Sequence, residues 1–231
     1  MKPIYVPKGR AKEYGDYAIN IYTGCPHRCY YCFAPNVLRR DREIFHSNVK
    51  ARENIVVETA KQIERENITG KLIHLCFTCD PYPTGYDTSA TRKIIKLLKD
   101  SGNNVQILTK GDGSRDFDLL DNGDWYGITI DGMAHGVYEP SDRLVDVYSA
   151  KRMGIKTWCS FEPVVNADNV LDCLKECADM FDKVKIGKLN YYPSDIDWHN
   201  FGNKVEALCK ELGTDYYIKD SLREEMRRVE N

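Results

Sequence analysis

Residues 17–35 read YAINIYTGCPHRCYYCFAP, and this stretch determines what fold we expect. Its first six residues, 17–22, are rich in Ile and Tyr, which favours a β-strand. A Gly-Cys-Pro turn follows at once, and Cys25, Cys29 and Cys32 come next with the spacing Cys-x-x-x-Cys-x-x-Cys. We therefore predict a strand that presents a three-cysteine loop at its carboxyl end.

The pattern of a short apolar run followed by a helical stretch recurs along the chain. Six βα units predict a parallel sheet with helices packed outside it. Because a closed βα barrel needs eight units, we expect an α/β fold with an open, partial (βα)6 barrel, and a doubly wound open sheet is the alternative. The predicted strands are 17–22, 72–77, 105–108, 126–130, 156–161, 184–186 and 215–218, and the predicted helices are 48–67, 88–100, 114–120, 142–153, 167–180, 200–212 and a charged terminal helix.

Length and composition indicate one domain over residues 1–231, with a core at about 17–190 and a C-terminal βα extension at about 191–231. The formal net charge of −2, from 33 basic and 35 acidic residues, gives no strong general attraction for nucleic acid. The basic run at Arg39, Arg40 and Arg42 is typical of a solvated face. No apolar run is long enough to span a membrane, and the N-terminus lacks the apolar segment of a signal peptide. We expect a cytoplasmic protein whose nine cysteines are thiols or metal ligands.

Chemically distinctive side chains follow the predicted strands. In parallel βα folds, ligands bind at the carboxyl ends of the strands, so these residues are expected to meet at one rim. They are Cys25, Asp80, Lys110, Thr129, Asp131, Glu162, Lys188 and Asn190.

The three cysteines of the loop favour an iron–sulfur cluster. Cubane clusters usually take four thiolates, and three ligands leave one iron open to a substrate or cofactor. A structural zinc site is the main inorganic alternative, but it needs four ligands, and no second compact Cys or Cys/His pair accompanies the loop.

The loop resembles the signature of the radical S-adenosylmethionine (SAM) superfamily, in which the residue before the last cysteine is commonly aromatic. Tyr31 has that position here. The resemblance implies that Cys25, Cys29 and Cys32 hold a [4Fe–4S] cluster, that SAM chelates the open iron, and that Tyr31 lies against the adenine.

A closer resemblance, over about two-thirds of the chain, is to the spore photoproduct lyase-like branch. It implies that Lys110 and Thr129 bind the SAM carboxylate, that Thr78 or Cys79 lies near the amino group, and that Glu162 lies near the adenosine. The ammonium group of Lys110 independently suits a carboxylate, whereas a salt bridge to a core lysine is the alternative for Glu162. The matching stretches are NIYTGCPHRCYYCFAP (20–35), FTCDPYP (77–83), Thr91–Arg92, ILTKG (107–111) and SRDFDLL (114–120).

This chain departs from the lyase at the position of its hydrogen-donating cysteine, which is Phe77 here, with Cys76 and Cys79 on either side. We take Cys79 as the candidate catalytic hydrogen donor, with Cys76 as the alternative. Because the tail from residue 186 also differs, repair of a thymine photoproduct is not expected. Cys173 and Cys177 lie four residues apart on a predicted helix; buried core thiols are favoured over a second cluster with Cys159 or Cys209.

The resemblance implies reductive cleavage of SAM to methionine and a 5′-deoxyadenosyl radical, which abstracts a hydrogen atom from a substrate. It also implies a one-electron donor such as flavodoxin or ferredoxin. A nucleic-acid base or nucleotide is the leading substrate class, and a peptide or small metabolite is the alternative. The competing class of function is a non-catalytic module that binds zinc or an iron–sulfur cluster.

Overall fold

The computed structural model describes residues 2–133 and 140–228. Within these residues a single sheet is flanked by α-helices. Its strands are β1 (Ile4–Tyr5), β2 (Tyr17–Ile19), β3 (Leu72–Leu75), β4 (Asn104–Thr109), β5 (Trp125–Thr129), β6 (Lys156–Val164), β7 (Lys183–Lys188) and β8 (Tyr216–Ile218). The helices are α1 (Ala34–Leu38), α2 (Arg42–Ser47), α3 (Ile55–Glu66), α4 (Ser89–Asp100), α5 (Pro140–Arg152), α6 (Ala167–Cys177), α7 (Trp198–Glu211) and α8 (Asp220–Arg227), with short 3₁₀ helices at Gly9–Glu13, Ser114–Leu119 and Ala178–Met180.

The strands lie in the sheet in the order in which they occur in the chain, from β1 to β8. Strands β2 to β8 are parallel, and β1 pairs antiparallel with β2. A doubly wound sheet reverses its strand order, and this sheet does not. The partial barrel is therefore confirmed, with β2–β7 as the strands of the six predicted units and β8 added at the edge.

The strands bury different chemistry on their two faces. Alternate positions such as Ile73, Leu75 and Ile107 belong to the apolar core under the helices. The intervening positions include His74 and Gln106, which are also buried, and His74 Nδ1 lies 3.0 Å from Gln106 Oε1. The sheet therefore carries a polar, hydrogen-bonded face opposite its apolar one.

The N-terminal segment links the two edges of the parallel sheet. Ile4 in β1 pairs with Ile19 in β2, at one edge. At the other edge, Glu13 Oε1 accepts a hydrogen bond of 2.9 Å from the backbone of Asp220, just after β8. Between these anchors the ring of Tyr14 lies 4.0 Å from Lys219 Nζ, which is buried.

The structure corrects the helix predicted at 48–67, which begins only at Ile55. The preceding residues run extended beside the cysteine loop instead. The backbone of Thr23 bonds to Lys50, that of Arg52 bonds to Ile21, and Ala51 forms a bridge with Tyr22. Helices α1 and α2, which we did not predict from the sequence, lie in the chain between the cysteine loop and this extended segment. None of the described helices has the length and apolar character needed to cross a bilayer.

Candidate functional site

The cysteine loop follows β2 and packs tightly on α2. A Cβ atom on Gly24 would lie 2.3 Å from the carbonyl oxygen of Phe45, so only glycine fits at this contact. Cys25, Cys29 and Cys32 are half-buried and unbridged. Burial raises the pKa of the Cys25 thiol, and the neighbouring charges of Asp80 and the other two thiols add to the shift. The three sulfur groups are therefore close enough to interact electrostatically, and a cation among them would favour their thiolate forms.

Arginine side chains hold the backbone of the loop. Arg42 donates from Nη2 to the carbonyl oxygens of Cys29 and Tyr30, the latter at 2.7 Å, and from Nη1 to that of Cys32 at 3.3 Å. Arg40 donates to the carbonyl of Thr23 at 2.7 Å. The basic run is thus not merely a solvated face, because two of its members fix the loop. Sequence reasoning missed these roles, since a bond to a backbone carbonyl leaves no motif.

His46, on α2, lies beneath the first cysteine. Its Nδ1 lies 2.7 Å from the carbonyl oxygen of Cys25, and its ring is almost fully buried. Its Nε2 is buried and has no hydrogen-bond partner among the described residues. A buried polar atom without a partner is rare in folded proteins, and this one belongs to the ring that holds the backbone of Cys25.

Asp80, after β3, joins the loop to the neighbouring strand. Its Oδ2 lies 3.1 Å from His27 Nε2 in the loop and 2.9 Å from the backbone nitrogen of Lys110, and its Oδ1 accepts from Thr109 Oγ1 at 2.5 Å. Burial alone would raise the pKa of Asp80, but His27 and the two hydrogen bonds hold it below its ordinary value. The carboxylate therefore sets the position of the loop relative to β4.

Lys110, Tyr31 and Asp131 meet at the carboxyl ends of β4 and β5. Lys110 Nζ lies 2.6 Å from the Tyr31 hydroxyl and 2.7 Å from Asp131 Oδ2, and the Tyr31 hydroxyl also donates to Asp131. The Asp131 side chain is fully buried. Asp131 thus brings together Lys110 and Tyr31, both of which we predicted to bind the cofactor. The sequence had placed Asp131 at the rim but had given it no specific role.

Residues 77–79, which follow β3, make two kinds of contact. The backbone nitrogens of Phe77 and Thr78 donate to Asn20 Oδ1 at 2.8 and 2.9 Å. The hydroxyl oxygen of Thr78 is buried and has no partner among the described residues. Cys79 Sγ instead lies 3.4 Å from the backbone nitrogen of Tyr22 and packs against the apolar core. A hydrogen-donating role for Cys79 stays a prediction.

Thr129 and Glu162 lie farther along the rim. The carbonyl of Thr129 accepts a 2.7 Å hydrogen bond from the buried Arg143. Glu162 lies 2.9 Å from Lys219 Nζ and accepts a hydrogen bond from Tyr14, whose pKa is raised by burial and by this carboxylate. The salt bridge to a core lysine, which was the alternative for Glu162, is present. A contact of Glu162 with adenosine stays a prediction.

The second cysteine pair lies on α6, beside the core. Cys173 Sγ lies 3.3 Å from Cys177 Sγ, and Cys159 is fully buried nearby. Across residues 2–133 and 140–228, no three His, Cys, Asp or Glu side chains converge as the ligands of a single metal ion would. The burial of Cys159 and Cys177 is what core thiols would show, and the second cluster stays an untested alternative.

Two neighbouring cavities open near the end of β7, with volumes of about 460 and 430 Å³. Leu189 and Ser194 line both. Tyr30 of the cysteine loop lines the first, and Tyr192, from the second, lies edge-on to it with ring centroids 5.6 Å apart. The Tyr30 ring lies 5.2 Å from that of Tyr31. The cavities are therefore in direct contact with the loop.

Comparisons with known proteins agree with this architecture. The chain is 28% identical, over an alignment of 253 residues, to the uncharacterized protein ORF301 of Acidianus two-tailed virus, covering 99% of this chain and 83% of that protein. A tyrosine-to-phenylalanine variant of spore photoproduct lyase is similar over 93% of this chain and 79% of its own, with a TM-score of 0.68 and 13% identity.

Two further solved structures share the fold. A spore photoproduct lyase variant with bound AdoMet and dinucleoside spore photoproduct has a TM-score of 0.66 at 14% identity, over 93% of this chain and 79% of that one. Streptococcus suis SuiB bound to its precursor peptide SuiA has a TM-score of 0.63 at 11% identity, over 87% of this chain and 48% of that one. The model of the Radical SAM superfamily matches residues 19–190, well over half of the 231 residues, and the chain thus belongs to that superfamily.

Proposed function

We propose that this protein reductively cleaves SAM at a [4Fe–4S] cluster held by Cys25, Cys29 and Cys32, and directs the resulting 5′-deoxyadenosyl radical at a substrate. The observation that carries the proposal is the arginine-supported loop of three thiols beside Lys110. When bound there, the cluster would supply one electron to the sulfonium of SAM, which would split it into methionine and the radical.

The residues of the loop fit such a cluster. Three thiols from one loop leave one iron of a cubane without a protein ligand, and that position suits the amino and carboxylate groups of SAM. Arg40 and Arg42 add positive charge next to the thiolates while they fix the loop. A nearby cation stabilises a thiolate-bound cluster in its more negative, reduced state.

The neighbouring residues suit the methionyl end of SAM. The ammonium group of Lys110 would bind the carboxylate, and Asp131 and Tyr31 would position that ammonium. The Thr78 hydroxyl, which is buried without a partner among the described residues, would accept from the amino group. Thr129 is proposed to contact the carboxylate as well, and Glu162 the adenosine.

The two cavities beside Tyr30 are the proposed substrate site, because they adjoin the loop at the rim of the sheet. A nucleic-acid base or nucleotide is the proposed substrate class, since one structural neighbour is a lyase with a bound dinucleoside. A peptide is the alternative, since SuiB was solved with a precursor peptide. Cys79 is the proposed hydrogen donor. A flavodoxin or ferredoxin would supply the electron, and we propose one domain that acts in the reducing cytoplasm.

The proposal is tested by anaerobic reconstitution with iron and sulfide, followed by addition of dithionite and SAM. We expect 5′-deoxyadenosine and methionine in equal amounts, measured by chromatography. Cys29→Ala removes one ligand and should abolish the product. The matched control is Cys209→Ala, on α7, which should still form it. A colourless wild-type protein that binds zinc and leaves SAM intact would contradict the proposal.

A further inference from the structure

The surface formed by residues 33–48, which we name the α1–α2 face, exposes large apolar side chains. Val37 is 65% exposed, Ile44 59% and Phe33 48%. Single exposed apolar residues are common, but here three are exposed on or beside two short helices that contact each other. The proposed SAM chemistry does not use these side chains.

The same part of the chain is positively charged. Residues 28–53 contain six Lys or Arg and three Asp or Glu, which gives +3 in a chain with a net charge of −2. Arg40, Arg42 and Arg52 donate to backbone carbonyls of residues 22–32. Because a carbonyl oxygen is neutral, these hydrogen bonds do not cancel the positive charge of the guanidinium groups. Arg28 differs, because it forms a 2.6 Å ion pair with Glu43.

The α1–α2 face lies directly over the cysteine loop. His46 contacts the backbone of Cys25, and the carbonyl of Phe45 lies against Gly24. Phe33 immediately follows the last loop cysteine, and α1 begins at the next residue. The α1–α2 face is therefore part of the same local structure as the loop that carries the three thiols.

From these observations we infer that the α1–α2 face is the docking surface for a small acidic one-electron carrier of the flavodoxin or ferredoxin class. The inference rests on the proposed function, which requires one electron per SAM cleaved. In the transfer, the carrier is oxidised by one electron and the cluster is reduced by one. An apolar centre with a charged surround is the usual composition of a protein interface, and complementary charge accelerates encounter.

The charge pattern favours an acidic protein over a nucleic acid. The arginines nearest the loop donate to backbone carbonyls, which leaves fewer of their N–H groups for phosphates. Val37 and Ile44 project apolar surface where a nucleic-acid backbone would need cations. Transient redox partners bury small interfaces, so the proposed contact need not extend far beyond these two helices.

The experiment measures the affinity of reconstituted protein for reduced flavodoxin, and separately for a reduced ferredoxin, by biolayer interferometry under anaerobic conditions. The test variant is V37E/I44E, which adds two negative charges to the apolar centre. We expect at least tenfold weaker binding of the carrier that binds wild-type protein. Raising the salt from about 0.05 to 0.5 M should weaken wild-type binding as well, because surface charges are screened. The matched control is V145E/M153E on and just after α5, where Val145 is 64% and Met153 57% exposed.

A second readout separates docking from the chemistry. Dithionite is small and needs no docking surface, so it should bleach the cluster of V37E/I44E as fast as that of wild type. Failure of wild-type protein to cleave SAM with dithionite contradicts the proposed function, whereas carrier affinity tests the docking surface. R39E changes another exposed position of the face and leaves Val37 and Ile44 intact. Because it reverses a positive charge, its affinity for the carrier should also fall.

Any one of three outcomes would overturn the inference. The first is that neither carrier binds wild-type protein. The second is that the carrier binds V37E/I44E and R39E as tightly as wild type, and the third is that V145E/M153E loses as much affinity as V37E/I44E. A labelled single-stranded oligonucleotide serves as the competing probe. If it loses affinity for V37E/I44E while the carriers do not, the face is a nucleic-acid site and the inference is wrong.

Discussion

Lys110 Nζ lies 2.7 Å from Asp131 Oδ2, so an ion pair joins the carboxyl ends of two adjacent strands. Both side chains are largely buried, and the Tyr31 hydroxyl contacts both. A buried ammonium held in this way keeps a fixed position, because its partners restrict the rotamers of a flexible side chain. The cofactor carboxylate would therefore meet a pre-positioned charge.

Replacing Lys110 by Met should weaken SAM binding by about tenfold or more, since a charge-assisted hydrogen bond contributes about 1.5–3 kcal/mol. The measurement is equilibrium binding of SAM to the reconstituted protein. Lys110→Arg keeps the charge and should bind SAM with intermediate affinity.

The loss of Lys110 would also leave Asp131 buried beside an apolar group, which could destabilise the fold. The double variant K110M/D131N removes that carboxylate charge. It should be more stable than Lys110→Met and still bind SAM weakly. Wild-type affinity in either variant would show that Lys110 does not contact the cofactor.

Arg42 donates to three carbonyls of the cysteine loop, and its removal should release the loop. We expect Arg42→Ala to retain less than half of the wild-type iron and sulfide per chain after reconstitution. The iron and sulfide content of Arg42→Lys should lie between those of wild type and Arg42→Ala, because an ammonium group lacks the planar fork that reaches several carbonyls. Iron and sulfide assays provide the measurement, with Arg39→Ala as the control. Equal iron in Arg42→Ala and Arg39→Ala would exclude this role.

The sheet could be predicted from sequence because its parallel strands are short apolar runs bounded by turn residues, and strong periodicity fixes each following helix. The exceptions have physical causes. Strand β1 has two residues, too few for a pattern. Residues 48–52 have helical composition, but they bond to the loop instead, and this tertiary pairing overrides local preference.

The candidate site could be predicted only where it uses side chains with recognisable chemistry. Cys25, Cys29 and Cys32 stand out by spacing, and Lys110 by its position after a strand. Arg42 and His46 act on backbone carbonyls, which every residue has, so no motif reveals them. The convergence of Asp131 with Tyr31 joins residues 100 positions apart and needs the folded sheet.

Gly24 should tolerate no side chain, because a Cβ atom would lie 2.3 Å from the carbonyl oxygen of Phe45 and 3.0 Å from that of Asn48. Both are backbone atoms, so α2 would have to move away from the loop. We expect Gly24→Ala to lower the free energy of unfolding by about 1–3 kcal/mol, as overpacking does. Urea unfolding of the cluster-free protein measures the change.

The matched control for that substitution is Gly15→Ala, where the nearest atom to a new Cβ is 3.8 Å away and φ is not positive. Its effect should stay within about 0.5 kcal/mol. Similar stabilities of the two variants would mean that the loop and α2 are not packed as closely as the structure has them.

His74 should make the protein sensitive to acid. Burial lowers its pKa to about 3, and the charges of Lys185 and Lys219 add to the shift, against an ordinary value of 6.5. Between these values the unfolded chain binds a proton that the folded chain does not, so stability is highest above pH 6.5 and falls as the pH drops toward 3. The slope for this one group is about 1.4 kcal/mol per pH unit.

His74→Gln removes the titrating ring and retains an amide that can donate to Gln106, so its free energy of unfolding should fall less steeply with acid. Urea unfolding of the cluster-free proteins between about pH 6 and 4.5 measures both slopes, and their difference isolates His74 from carboxylates that titrate in both proteins. His199→Gln, on the exposed side of α7, should retain the wild-type slope. Parallel curves for wild type and His74→Gln would show that the His74 ring takes up a proton in the folded protein as readily as in the unfolded chain, contrary to the lowered pKa that its burial implies.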